Sequence, residues 1–346
     1  MPGLIIIGSN PTANILRLAC QNIGLDKLTQ IQTKHTPLVP AAILPANISR
    51  IIVALKSEDH IRDLSIAPNR KMIRLSKSGY LISEIPLGKF YYDRYGANLV
   101  NISEASLQIL LSDQIQSDQQ NTLEDIKANQ NVIALTDRKL PEDTTEAAFS
   151  TFYARLPFDK ESAHINTTWL GQRQTAIQFS TKEAQHIIFL IPHSENLDPG
   201  HWHPSIRDAA ITAQIQKPSV SKNSIEEDIN LSHSDLKLGS AWYQESWLFP
   251  ETIHAGIEDA WVLSRMLENY EEETNEALSS YTKYRRPRIN RFAKYTEQET
   301  FKLLNSHGPQ RFAEYLRLAF STRFIPEIFM SSQDWLHGYD CLRGFR

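Results

Sequence analysis

The first forty residues alternate between apolar runs and polar breaks in a way that predicts their own folding. Leu4-Ile5-Ile6-Ile7 is continuously apolar and reads as a short strand buried on both faces. Gly8-Ser9-Asn10-Pro11 follows as a turn, with Ser9 or Asn10 as a helix cap and Pro11 tolerated in the first helical turn. Ile15, Leu16, Leu18, Ala19 and Ile23 then keep helical spacing until Gly24 ends it, and Leu28 to Gln32 reads as the next strand. The chain therefore opens as a β-α-β unit.

Further along, Lys71-Met72-Ile73-Arg74-Leu75 alternates polar and apolar positions as a half-exposed strand, with Gly79-Tyr80-Leu81-Ile82 as its hairpin partner. Ser103 caps a predicted helix through Leu107, Leu110 and Leu111, and Val132-Ile133-Ala134-Leu135 reads as a second buried strand. Thr175 to Phe179 and His186 to Ile191 predict paired strands of another sheet. From Gly256 the pattern turns helical through Ile257, Ala260, Trp261, Leu263, Met266 and Leu267, and Leu278 to Tyr284 begins another helix. Residues 112–130 and 217–233 are polar connections, and no internal repeat interrupts the chain.

Composition narrows the class. With 346 residues and 41% hydrophobic positions, the chain is long enough for a substantial core and two domains. A net charge of −4 supplies no global attraction for nucleic acid or an anionic membrane. The opening apolar run is too short to span a bilayer and lacks a basic leader, so a soluble, cytoplasmic protein is expected. Cys20 and Cys341 form no disulfide or metal spacing, which also fits a reducing compartment. His201 and His203 lack a third ligand nearby and read as loop residues. Glu258-Asp259 reads as a helix start, and Arg285, Arg286, Arg288, Arg291 and Lys294 as the solvated face of a helix.

Several segments carry a resemblance when taken in order. They are Gly79 to Gly88 with Arg94-Tyr95-Gly96-Ala97, Trp169-Leu170-Gly171, and Trp202-His203-Pro204 with Ile206-Arg207. Gly239 to Ala260, Tyr281 with Arg285-Arg286-Pro287-Arg288, and Trp335 to Asp340 complete the series. Together the sequence resembles the FAD-dependent aromatic hydroxylases of the salicylate hydroxylase type. The resemblance implies an α/β fold with a Rossmann-like FAD/NAD(P)-binding domain, a β-sheet substrate domain and a helical C-terminus. Residues 1–65, 98–150 and 234–285 would form the discontinuous FAD-binding part, 66–97 and 151–216 the substrate part, and 286–346 the helical region. It also implies FAD as cofactor, NAD(P)H as reductant, and oxygen-dependent hydroxylation of a small aromatic acid.

The family's flavin contacts map onto altered residues. The G-x-G-x-x-G turn falls on Gly8, Asn10 and Ala13, with Pro11 between them. The acidic ribose ligand falls near Gln30 or Gln32, and the arginine that faces the flavin falls on Glu104. The D-G pair falls on Asp137-Arg138, the G-D pair on Gly239-Ser240, and the G-Q-G loop on Pro250-Glu251-Thr252. At about 1 kcal/mol per lost contact, five losses weaken binding roughly several thousand-fold. Trp242, Trp247 and Phe249 stand at formerly small positions and are expected to fill the vacated space. Two functions follow: a flavoprotein monooxygenase with altered contacts, or a non-catalytic relative that binds or regulates a protein partner.

Overall fold

The computed structural model describes residues 4–25, 27–33, 37, 39–56, 58–112, 132–136, 149–216, 236–243, 246–270, 273–305, 308–324 and 326–343. In chain order the first elements are β1 (Leu4–Ile7), α1 (Pro11–Asn22), β2 (Leu28–Ile31), β3 (Ala41–Leu44), α2 (Ala46–Leu55), α3 (Glu58–Leu64) and β4 (Ser65–Ile66). Then come β5 (Arg70–Leu75), β6 (Leu81–Pro86), α4 (Lys89–Tyr95), β7 (Val100–Ser103), α5 (Glu104–Ser112) and β8 (Val132–Leu135). β9 (Phe149–Leu156), β10 (Ile165–Leu170), β11 (Thr175–Ser180), β12 (Gln185–Pro192), α6 (Pro204–Thr212), β13 (Gln214–Gln216) and β14 (Leu236–Lys237) follow. The chain ends in α7 (Gly256–Asn269), α8 (Thr274–Asn305), α9 (Gly308–Phe324), α10 (Pro326–Ser331) and α11 (Asp334–His337).

β1 lies between β2 and β8 in a parallel sheet ordered β14-β8-β1-β2. A strand flanked on both sides and covered on both faces has no polar position to offer, and all four residues of β1 are buried. The predicted β-α-β opening is present at its predicted place. β3, β7 and β4 form a small antiparallel sheet. The third sheet has seven strands in the order β13-β9-β12-β11-β10-β5-β6, including the expected β5–β6 hairpin and the β11–β12 pair. Its one face packs Ile177, Phe179, Ile188 and Leu190 against Tyr91, Tyr95 and Trp247, and its other packs Trp169 and Phe189 against Trp202 and Ile206. The polar connections expected over 112–130 and 217–233 lie outside the described residues, apart from Ser112 at the end of α5.

One expectation is overturned on α8. Arg286, Arg291 and Lys294 are exposed, but Arg285 and Arg288 are buried. With Tyr281 and Phe292 they form the inward stripe of the helix, because positions 281, 285, 288 and 292 fall on one face. Their charges meet Glu258 and Asp259 in the first turn of α7. Arg285 bonds Glu258 Oε2 at 2.9 Å and Asp259 Oδ1 at 2.6 Å, and Arg288 reaches both oxygens of Glu258 at 2.7 and 2.6 Å. Asn47 of α2 donates to Glu258 at 2.6 Å, and Arg288 donates to the carbonyls of Trp335 and Leu336. Burial alone would raise the Glu258 carboxyl, but the charges of Arg288 and Arg285 outweigh it and hold it below the usual range. Removing one member of such a cluster leaves an uncompensated buried charge. Arg288→Ala is therefore expected to lower stability in urea by about 3–5 kcal/mol, whereas Arg286→Ala should change it by less than about 0.5 kcal/mol.

Candidate functional site

The turn between β1 and α1 is where a dinucleotide-binding unit presents its helix N-terminus. Gly8 there has φ 145°, outside the range open to other residues, and its amide bonds the Ile31 carbonyl at 3.0 Å. Asn10 caps α1, its Oδ1 accepting from the Ala13 amide at 3.0 Å, while Pro11 occupies the first helical position. The same side chain donates through Nδ2 to the Thr136 carbonyl at 2.9 Å. Ser240 Oγ donates to that carbonyl too, at 3.0 Å. Asn10, Ala13 and Ser240, which sequence comparison placed in one site, thus meet at the end of β8 through a residue it had not singled out.

Gly239 closes the arrangement from above. Its φ is 53°, its amide donates to buried Asp259 at 2.8 Å, and a Cβ built on it would lie 3.1 Å from both Gly256 Cα and Thr12 Oγ1. A Cβ on Gly256 would come to 2.3 Å from Thr12 Oγ1 and 2.7 Å from Gly239 Cα. The loop and the N-terminus of α7 therefore rest directly on the first turn of α1.

A chain of side-chain amides runs along the adjoining face. Gln30 donates to the Gly8 carbonyl and to Asn14 Oδ1, Asn14 to Gln108, and Gln108 to Glu104 and to the Ser9 carbonyl. Ser9 Oγ accepts from the Thr33 amide at 2.9 Å. Glu104 is thus tied in through Gln108, four residues on along α5. Of the two glutamines considered at the end of β2, Gln30 joins this network and Gln32 is exposed. Asn14, Gln108, Thr12 and Thr136 were not identified from the sequence. The only signal was the four-residue spacing of Asn10 with Asn14 and of Glu104 with Gln108. Asp137 lies outside the described residues.

Pro250 begins a buried 3₁₀ turn in which Glu251 pairs with Lys71 of β5 at 2.9 Å. Burial would raise the Glu251 carboxyl, but the charge of Lys71 beside it holds it below its usual range. Trp242, Trp247 and Phe249, expected to help fill the vacated space, each pack on a different aromatic neighbour. Trp247 stacks on Phe179 at 6.2 Å, Trp242 tilts against Tyr281 at 5.9 Å, and Phe249 meets the edge of Tyr295 at 4.9 Å. Each ring serves a different cluster. His203 caps α6 and stacks on Trp169, and among the described residues no group of metal-ligating side chains assembles. Cys20 and Cys341 are free and buried.

This arrangement of sheets and helices is the fold of the FAD-binding aromatic hydroxylases, as the sequence resemblance implied. HpxO of Klebsiella pneumoniae, solved with FAD and uric acid, is similar over 97% of both chains with a TM-score of 0.74 and 14% identity. The p-nitrophenol 4-monooxygenase PnpA of Pseudomonas putida is similar over 98% of both chains (TM-score 0.73, 12% identity). A salicylate hydroxylase–substrate complex covers 98% of this chain and 96% of its own, with a TM-score of 0.68 and 11% identity. No family model and no curated protein matches. Among the described residues, no helix is long and apolar enough to cross a membrane.

Two predictions follow from this geometry. Asn10→Ala removes the cap and the bond to Thr136, and is expected to lower stability by about 1–2 kcal/mol in urea. Burial first, and then Arg155, pushes the His186 imidazole down to about 4, and burial pushes that of His337 to about 4. Both rings stay neutral when folded but protonate near 6.5 when unfolded. Their contribution is complete above about pH 6.5 and is lost as the pH falls toward 4. The urea midpoint should therefore fall across that window, with unfolding taking up close to two protons at about pH 5.

Proposed function

We propose that this chain keeps the aromatic hydroxylase fold without its flavin chemistry, and acts as a binding or regulatory protein. The observation that carries the reading is the Asn10 side chain, whose oxygen holds the Ala13 amide at the helix N-terminus. A bound diphosphate uses that donor, together with the electropositive end of α1. Three further features point the same way. Ser240 spends its hydroxyl on Thr136, the Gly239 amide is bonded to Asp259, and Pro250 offers no amide where the family loop passes its backbone to the ring. These residues, bonded as they are, do not fit a bound flavin dinucleotide.

The fold itself favours a second reading, since the neighbours it resembles are FAD-dependent monooxygenases acting on small aromatic molecules. In that case FAD, NAD(P)H and oxygen would act on an aromatic acid, with Asn10 and Ser240 moving aside. The free, buried thiols suit a reducing cytoplasmic setting for either function.

Visible absorption of the purified protein, with and without added FAD, separates the two. The expected result is a colourless protein whose melting temperature does not rise with FAD and which does not oxidise NADH or NADPH in the presence of salicylate, urate or p-nitrophenol. A flavin spectrum that persists through gel filtration would sink the proposal. So would a stability gain approaching the roughly 2.7 kcal/mol that a ligand at a hundred times its Kd confers.

A further inference from the structure

The seven-stranded sheet ends on β6, which has no partner on its outer side among the described residues. Its free backbone groups can be identified from the register. Leu87 N–H bonds the Asn69 carbonyl in the same register that pairs Ile85 with Lys71 and Ser83 with Ile73. In an antiparallel pair the hydrogen-bonding residues alternate, so Ser83, Ile85 and Leu87 face β5, and Glu84 and Pro86 face outward. Beyond the irregularity at Ile73/Arg74, Leu75 N–H bonds the Tyr80 carbonyl, which turns Leu81 outward as well. The edge thus presents the N–H and C=O of Leu81 and Glu84 and the C=O of Pro86.

A groove of about 900 Å³ follows this strand. It is lined by Ala319 of α9, which packs on the core face of β6, and by Arg70, Glu84 and Glu161 from the other side. A cavity that takes walls from both faces of a sheet runs along its edge. Tyr80 and Leu81 stand at its mouth, 69% and 37% exposed. One arginine faces two glutamates, and Arg70 is already paired with Glu84 at 3.1 Å. That leaves Glu161 to favour a cation.

We propose that this edge takes up a short extended peptide of a partner protein as an eighth strand, with an apolar residue on Tyr80 and Leu81 and a lysine or arginine toward Glu161. Main-chain hydrogen bonds to an exposed strand supply affinity, and alternate side chains supply selectivity. A concave groove fits an inserted segment better than a flat pairing of two sheets. Pro86, which has no N–H, and the register irregularity stop longer sheet growth of the kind that leads to aggregation. The groove shares no lining residue with the Asn10–Thr136–Ser240 junction, so a failure here leaves the proposed function untouched.

The probes are heptapeptides displayed on phage and selected on the full chain, whose affinities are then measured on variants. Glu84→Pro removes an outward amide and no backbone bond to β5, and Glu84→Gln controls for the ion pair with Arg70 that is lost at the same time. Leu81→Pro repeats the test at the other amide. Selected peptides should alternate apolar residues with a basic one, and should bind the proline variants about tenfold more weakly, with a smaller loss for Glu84→Gln, which frees Arg70 to compete for Glu161. Should a proline variant fail to fold, slowed hydrogen exchange at the Leu81 and Glu84 amides on adding peptide gives the same readout. Equal affinity for the proline variants, failure to select any peptide, or protection of both amides in a peptide-free dimer would overturn the proposal. The last result would mean that a second copy of the chain covers the edge.

Discussion

The structure depends on two carboxylates and two arginines buried against one another. Glu258 and Asp259 stand in the first turn of α7, where the helix dipole already favours negative charge, and Arg285 and Arg288 cross to them from α8. Through these four side chains five segments are fixed. They are α2 by Asn47, the Gly239 loop by its amide, α7 and α8 themselves, and α11 by the Trp335 and Leu336 carbonyls. Tyr339 lies over Arg288 with its ring centroid at 3.8 Å, closing the cluster from the C-terminal side.

That cluster also sets the position of the loop after β14. Because Asp259 anchors Gly239, the loop after β14 is held against Thr12 and Gly256, and Ser240 is delivered to the Thr136 carbonyl. Asn10 then completes the junction by bonding the same carbonyl and the Ala13 amide in the first turn of α1. In the hydroxylase pattern a glycine at this position leaves room for a diphosphate. Here a side chain supplies both the oxygen and the donor. The Ala13 amide of that helix end is satisfied by the protein itself, and Gly239, Gly256 and Thr12 pack closely beside it.

Much of the fold was legible because it is local. β1, α1 and β2 announce themselves by an unbroken apolar run, a capped turn and a helical period, and the β5–β6 and β11–β12 pairs by alternation. The residue types set against the cofactor motifs could be compared position by position. What was hidden is what those residues touch. Asn10 meets Thr136 across 126 positions and Lys71 meets Glu251 across 180, distances at which no periodicity speaks. The arginines of α8 were misread for the same reason. A buried charge is sensible only beside its partner, and Glu258 lies 27 residues before Arg285. The three aromatic residues replacing small family positions carried no directional signal, and they turned to three different clusters.

The most direct test of the account is a crystal structure of this chain grown in saturating FAD. The account predicts no flavin density, with Asn10 bonded to Ala13 and Thr136 and Ser240 bonded to Thr136. Density for a diphosphate on the N-terminus of α1, with the Asn10 side chain swung away from the Ala13 amide, would contradict it.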